Sequence, residues 1–183
     1  MEVYQAIEKR RTIRKFKGAA TEAQLKRILA AGILAPSSMN KQNWEFVLVD
    51  DPALIEQISQ IKYVMNRGKA AGEPVPEAQE KGALKQKESF KNATLLLVYC
   101  NKELADSSGP WLCIENICLA AIAEGLAARI ARFNGDFMAQ VNKLLNVPPS
   151  MDLIVAVSIG VPDEEPAPRT LRPEGSWLHH NRF

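Results

Sequence analysis

Apolar residues recur along this chain with two different periods, and the points where the period changes mark its elements. Val3, Ala6, Ile7 and Arg10 follow a helical period, which predicts an opening helix over residues 2–11. Thr21-Glu22-Ala23-Gln24 has the spacing of a capping box, and Leu25, Ile28, Leu29 and Ile33 line one face of the helix it opens. Pro36 stops that helix, because proline has no amide hydrogen to donate and its ring drives Ala35 out of the helical region. A short polar turn follows, and Trp44 leads it into an apolar strand over 45–50. Asp51 as N-cap, with Pro52 in the first turn, then starts a helix whose Leu54, Ile55, Ile58 and Ile61 belong to the core.

The pattern loosens over residues 66–80, where Gly68, Gly72, Pro74 and Pro76 lie among charges and predict a mobile loop or lid. A charged helical stretch over 77–90 leads to a run over 93–100 whose unbroken apolarity fits a central strand covered on both faces. Ser107-Ser108-Gly109-Pro110 opens a helix with a broad apolar stripe, Trp111, Ile114, Ile117, Cys118, Ala121 and Ile122, which Gly125 ends. A strand over 126–133, a helix carrying Phe137, Val141, Leu144 and Leu145, and a strand over 151–157 complete the pattern. Gly160-Val161-Pro162 is expected to break that last strand. The tail over 163–183 cannot form a core alone, and its Trp177, Leu178 and Phe183 are expected to wrap over this subunit or a neighbour.

Composition narrows the class. At 183 residues the chain suits one domain over 1–183, and 46% apolar with 24% charged residues describes a globular chain. No apolar run approaches the ~18 residues of a membrane span. The start, Met1-Glu2-Val3-Tyr4-Gln5, lacks the features of a secretory signal, so a cytoplasmic address is expected. Cys100, Cys113 and Cys118 form no Cys-x-x-Cys pair and read as reduced core thiols. His179 and His180 are the only histidines, which argues against a His-dependent triad or a two-histidine metal helix. No catalytic side chain and no metal site emerge, and the chemistry falls to a bound cofactor.

Two stretches carry candidate chemistry. Arg10, Arg11, Arg14, Lys15 and Lys17 surround Thr12 in a segment whose guanidinium forks match phosphate oxygens, although cations also favour a helix C-terminus for purely local reasons. Ser37, Ser38, Asn40 and Gln42 crowd hydroxyls and amides beside Trp44, which suits a planar hydrogen-bonding ligand or an ordinary turn.

The order of these features resembles the FMN-dependent nitroreductase family. Arg10-Arg11-Thr12-Ile13-Arg14 followed by Ala35-Pro36-Ser37-Ser38-Met39-Asn40-Lys41-Gln42-Asn43-Trp44 and a strand is similar to that family's opening. Leu119 to Leu126 and Ile159-Gly160-Val161-Pro162 resemble its central helix and the end of its last strand. The resemblance implies an α+β fold with a mixed or mainly antiparallel sheet flanked by helices, in an intertwined homodimer. It implies FMN held by Arg10, Arg11, Thr12 and Arg14 at the phosphate and pyrimidine edge, and by Arg169 and Arg172 at the phosphate. Ser37, Ser38, Met39 and Asn40 would reach the flavin bound mainly by the other subunit, and Ala131 and Arg132 would set backbone amides near N5 and O4. The implied activity is ping-pong hydride transfer from NADH or NADPH to a small-molecule acceptor such as a nitroaromatic or quinone. Asn43 departs from the family's usual proline, and the 66–80 segment has no match.

Two other classes remain compatible with these residues. One is a flavin-binding relative with different chemistry, namely flavin breakdown, dehalogenation or cofactor storage. The other is a small nucleic-acid binder using the basic N-terminal segment, which a net charge of only +2 disfavours. A nucleic-acid or membrane partner is therefore not expected.

Overall fold

The computed structural model describes residues 1–69, 72–104, 106–173 and 175–182. In chain order its elements are α1 (Val3–Lys9), β1 (Phe16–Ala19), α2 (Glu22–Gly32), β2 (Glu45–Val49), α3 (Pro52–Arg67), α4 (Glu77–Glu88), β3 (Thr94–Asn101), α5 (Gly109–Ala123), β4 (Ala127–Ala131), α6 (Gly135–Leu144) and β5 (Met151–Pro162). The strands form one antiparallel sheet in the order β1-β5-β3-β2, with β4 also pairing to β5. The fold is α+β, with helices on both faces of the sheet.

Strand alternation divides the core into two halves. Leu96 and Val98 of β3 pack with Ile28 of α2 and with Cys113, Ile114 and Ile117 of α5. Leu95, Leu97 and Tyr99 face the other way, onto Ile58 of α3 and Val141 of α6. Leu95, Leu96, Leu97 and Val98 are all 0% exposed, as a strand covered on both faces requires. A bulge sets the register of the long strand: Val98 pairs with Val155 but Tyr99 with Leu153, so Ile154 is skipped. Leu153 therefore joins the α3 and α6 half while Val155 joins the α5 half.

Local signals act as the sequence leads one to expect. The Thr21 hydroxyl accepts from the Gln24 N–H at 3.3 Å, while the Gln24 side chain accepts from the Thr21 N–H at 3.1 Å, which closes the capping box. Asp51 caps α3 by accepting from the Ala53 N–H at 2.8 Å, with Pro52 as the first helical residue. Gly125, at φ 75°, turns the chain out of α5. Cys100, Cys113 and Cys118 are buried free thiols, and burial pushes Cys113 up to about 11.

Four expectations need correction. The opening helix stops at Lys9, and Arg10, at ψ 118°, leaves it in extended form, so the basic segment follows the helix instead of ending it. Phe16–Ala19 then forms an unexpected strand, held by pairing to β5 and not by local propensity. α2 ends at Gly32, short of Pro36. Gly160 does not break β5, which runs on to Pro162, because a Cβ at Gly160 would lie 2.5 Å from the Gly18 carbonyl oxygen: glycine here admits β1. The 66–80 segment includes the end of α3 and the first turn of α4, while residues 70 and 71, like Phe183 of the tail, lie outside the described residues.

The close approach at Gly160 makes a testable point. Gly160→Ala should destabilise the fold by about 1–3 kcal/mol through overpacking against β1. Urea denaturation measures this, and an unchanged midpoint would show that β1 can give way without cost.

Candidate functional site

The basic segment is extended because it is drawn into the sheet. Thr12 bridges Ala128 of β4 in parallel, and the Ile13 N–H donates to the Ala128 carbonyl at 3.4 Å. Buried Ile13 packs with Phe16, Ala93 and Ala127, which fixes the backbone and leaves Arg10, Arg11 and Arg14 part-exposed. The tail returns along the same segment. The Asp163 N–H donates to the Lys15 carbonyl at 2.9 Å, Glu164 accepts from the Arg14 N–H, and Arg169 donates to the Arg10 carbonyl. Residues 159 apart in sequence thus meet. Arg172 instead turns onto the Ser176 carbonyl within the tail.

Helix α5 gathers the remaining parts. Arg10 pairs with Glu115 at 3.3 Å, and Arg132 lies over the Trp111 ring at 5.9 Å. Trp111 and Glu115 are four residues apart, so these contacts fall on adjacent turns of one face. Gly109, at the start of α5, lies against Ser37: a Cβ there would stand 3.2 Å from the Ser37 Cβ. From Gly109 to Glu115 is about 9 Å of helix. The expected segments 10–14, 37–40 and 131–132 are therefore arranged along half of α5.

The 37–40 loop is shaped for presentation. Met39, Asn40 and Gln42 have positive φ, and Met39 is 83% exposed. The Ser37 hydroxyl accepts from the Gln42 N–H at 2.8 Å, which closes the turn. Asn43, the departure from the family's usual proline, is buried; it donates to the Asn101 and Asp106 carbonyls at 3.1 and 2.8 Å and accepts from the Asn101 N–H at 2.7 Å. It anchors the turn to the end of β3. Asp106 caps the entry to α5, and the Gly109 N–H, followed by the Ser108 hydroxyl and N–H, holds its carboxyl below the usual range. Among the described residues, no hydrogen bond or ion pair joins this loop to the arginine segment.

Two residues that sequence reading passed over stand beside the site. Arg129 shares a face of β4 with Ala127 and Ala131, is 2% exposed, and stacks on Phe90 at 4.8 Å while donating to Gln86 of α4. Its Nη1 has no hydrogen-bond partner among the described residues, and burial, then the charge of Arg14, pushes its pKa down to about 10. Lys62, 6% exposed, donates to the Arg132 carbonyl at 2.5 Å and lies 5.3 Å over the Phe133 ring. Burial, then Arg129, pushes its pKa down to about 8. The available signals were an arginine between two small residues on a buried strand face and a lysine four residues after buried Ile58. An orphaned buried guanidinium nitrogen, on a residue that feels the charge of Arg14 and stands two positions before Ala131 on β4, fits a site made for an electron-rich group.

Comparison with known proteins agrees with the fold. The model of the nitroreductase family matches residues 7–161, and the chain belongs to that family. It is 31% identical over 181 residues to the iodotyrosine deiodinase of Thermotoga neapolitana, covering 94% of both chains. A solved structure of oxidized iodotyrosine deiodinase bound to FMN and 3-iodo-L-tyrosine is similar at 28% identity over 100% of both chains, with a TM-score of 0.78. An FMN-dependent nitroreductase from Clostridium difficile R20291 is similar at 27% identity over 97% of this chain and 98% of that one, with a TM-score of 0.77.

Lys62 gives this region a pH signature. Its folded pKa of about 8 lies below the ordinary value of about 10.4, so between these values the unfolded chain holds a proton that the folded chain does not. Stability contributed at Lys62 therefore rises with pH across that window. Urea midpoints of the wild type should gain on those of Lys62→Met between about pH 7 and pH 10; a constant difference would mean that the ammonium is solvated.

Proposed function

We propose that this chain is an FMN-dependent oxidoreductase whose sites form between two copies. The observation that carries the reading is the return of the tail onto the basic segment, which sets Arg169 against Arg10 and gathers cations expected at one phosphate. The pair between Arg10 and Glu115 is 31% and 50% exposed, so it ties the guanidinium down only weakly. Bound FMN would supply reversible two-electron chemistry, between NADH or NADPH and an electron-poor nitroaromatic or quinone.

This chain's residues take the binding roles. Arg10, Arg11, Thr12 and Arg169, with Arg172 if it swings off Ser176, hold the phosphate through charge-assisted hydrogen bonds. Arg14 lies at the pyrimidine edge, where a fixed cation favours added negative charge. The backbone of Ala131 and Arg132 meets the reactive side of the ring. Ser37, Ser38, Met39 and Asn40 serve the flavin of the second copy, which agrees with a loop that, among the described residues, has no hydrogen bond or ion pair to its own arginine segment. The exposed Val3, Tyr4, Ile33, Leu34, Trp111 and Leu112 supply an apolar contact surface. No described helix is long and apolar enough to cross a membrane, and a cytoplasmic address completes the reading.

A second reading, reductive dehalogenation of an aromatic substrate, is favoured by the 31% identity to a deiodinase over nearly the whole chain. Release of iodide from 3-iodo-L-tyrosine by the reduced protein, without turnover of nitroaromatics or quinones, would select it.

Purified protein should be yellow, and Arg10→Ala and Arg169→Ala should each weaken FMN binding to the apoprotein by about 1.5–3 kcal/mol in isothermal titration. Unchanged affinity in both would remove the phosphate assignment. Deletion from Gly175 onward should loosen the dimer and lower FMN occupancy together, since a site walled by two chains opens when they part. Sedimentation with flavin absorbance tracks both quantities, and a monomeric full-length protein with stoichiometric FMN would overturn the shared site.

A further inference from the structure

An ionised side chain buried without a counter-charge is among the costliest arrangements a protein interior can hold. Among the described residues this core holds two such cations, Arg129 and Lys62, close enough to each other that the charge of Arg129 disfavours that of Lys62. Neither takes part in an ion pair among the described residues. Their neighbours are neutral: Gln86 and the Phe90 ring for Arg129, the Arg132 carbonyl and the Phe133 ring for Lys62. Arg14 adds a third positive charge near Arg129. Such a cluster favours negative charge arriving from outside the chain.

The placement says where that charge arrives. Arg129 shares a face of β4 with Ala131, and Lys62 reaches across from α3 to hold the Arg132 carbonyl. Lys62 thus holds the backbone that, on the flavin reading above, meets the ring system, and Arg129 stands two residues before it on the same strand. We propose that Arg129 and Lys62 form a built-in positive field which favours the anionic, two-electron-reduced flavin over the neutral oxidised form. The proposal rests on that reading. In the transfer, the reduced nicotinamide donor would give up a hydride, two electrons with one proton, and leave oxidised; the neutral ring would take up both the pair and the proton and so carry one net negative charge. Cations shielded from water act on that charge with little screening, and they are fixed before it appears.

The experiment compares the FMN-loaded wild type with Lys62→Met, Arg129→Met and Arg129→Lys. The midpoint potential of bound FMN is read against reference dyes during dithionite reduction, and affinity for oxidised FMN by titration of each apoprotein. The Met variants should bind oxidised FMN within about twofold of wild type, because the neutral form feels the field weakly. Their preference for reduced over oxidised FMN should fall about tenfold, which is about 30 mV more negative for a two-electron couple. Arg129→Lys, which keeps the charge, should keep the wild-type potential. Urea denaturation of the apoproteins gives a readout without flavin: loss of an unpaired buried cation should leave stability equal or higher. Wild-type potentials in both Met variants, or loss of apoprotein stability in both, would overturn the proposal; should Arg129→Met fail to fold, Lys62→Met and Arg129→Lys decide it. A wild type that binds no FMN would remove the flavin reading itself, and this inference with it.

Discussion

Everything at the site hangs from the hydrogen bonds of β5. That strand pairs with β1, β3 and β4, so it orders the segments on either side of it. Through β4 it places the 131–132 backbone and, by the Thr12 bridge, the basic segment; through β1 it fixes the end of that segment; at its own end it launches the tail back over Arg10 and Arg14. Pairing of this kind specifies register closely where one face is buried, since a one-residue slip would turn every side chain over. The bulge at Ile154 is where this chain uses that sensitivity, feeding both halves of the core from one strand.

How much of this the sequence reveals depends on whether the cause is local. The capping box at Thr21, the Asp51-Pro52 start, the Gly125 stop and the central strand are written in residues a few positions apart, and all are found in place. β1 is not: Phe16-Lys17-Gly18-Ala19 has weak strand character, and it forms because Pro162, Val161 and Gly160 offer it an edge. The same remote contact explains why Gly160 lies inside a strand and does not end one. At the site, the basic segment and the Ser37–Asn40 turn are legible from residue type and order. Arg129 and Lys62 escape because charge in a helix or strand ordinarily implies solvent, and only tertiary packing tells otherwise.

The division of labour between the two core halves is also instructive. The α5 side is dense with aliphatic and small residues and presents Trp111, Glu115 and Gly109 as fixed reference points. The opposite side includes Ile58 and Val141, Lys62 lies over Phe133 there, and Arg129 reaches Gln86, so buried positive charge enters the interior on that side. Charged groups thereby lie on the other side of the sheet from the aliphatic packing around α5.

Helix α4 stands apart from this economy. It buries Ala83, leans on α3, and is fastened where Glu80 accepts from Tyr63 and pairs with Arg67 at 2.5 Å, with Lys87 reaching Glu56 at 2.7 Å. The exposed Lys87–Glu56 fastener can be exchanged for others with little penalty, whereas Arg67 is buried and holds Glu80 in place. Most positions of α4 are accordingly open to neutral drift, and an ancestor could have rewritten them repeatedly while the sheet and its cations stayed as they were. Glu80, Ala83 and Gln86 are the exceptions, since changes there would reach buried Arg67, the packing against the core and Arg129 in turn, and they mark where drift in the outer helix would begin to be felt by selection.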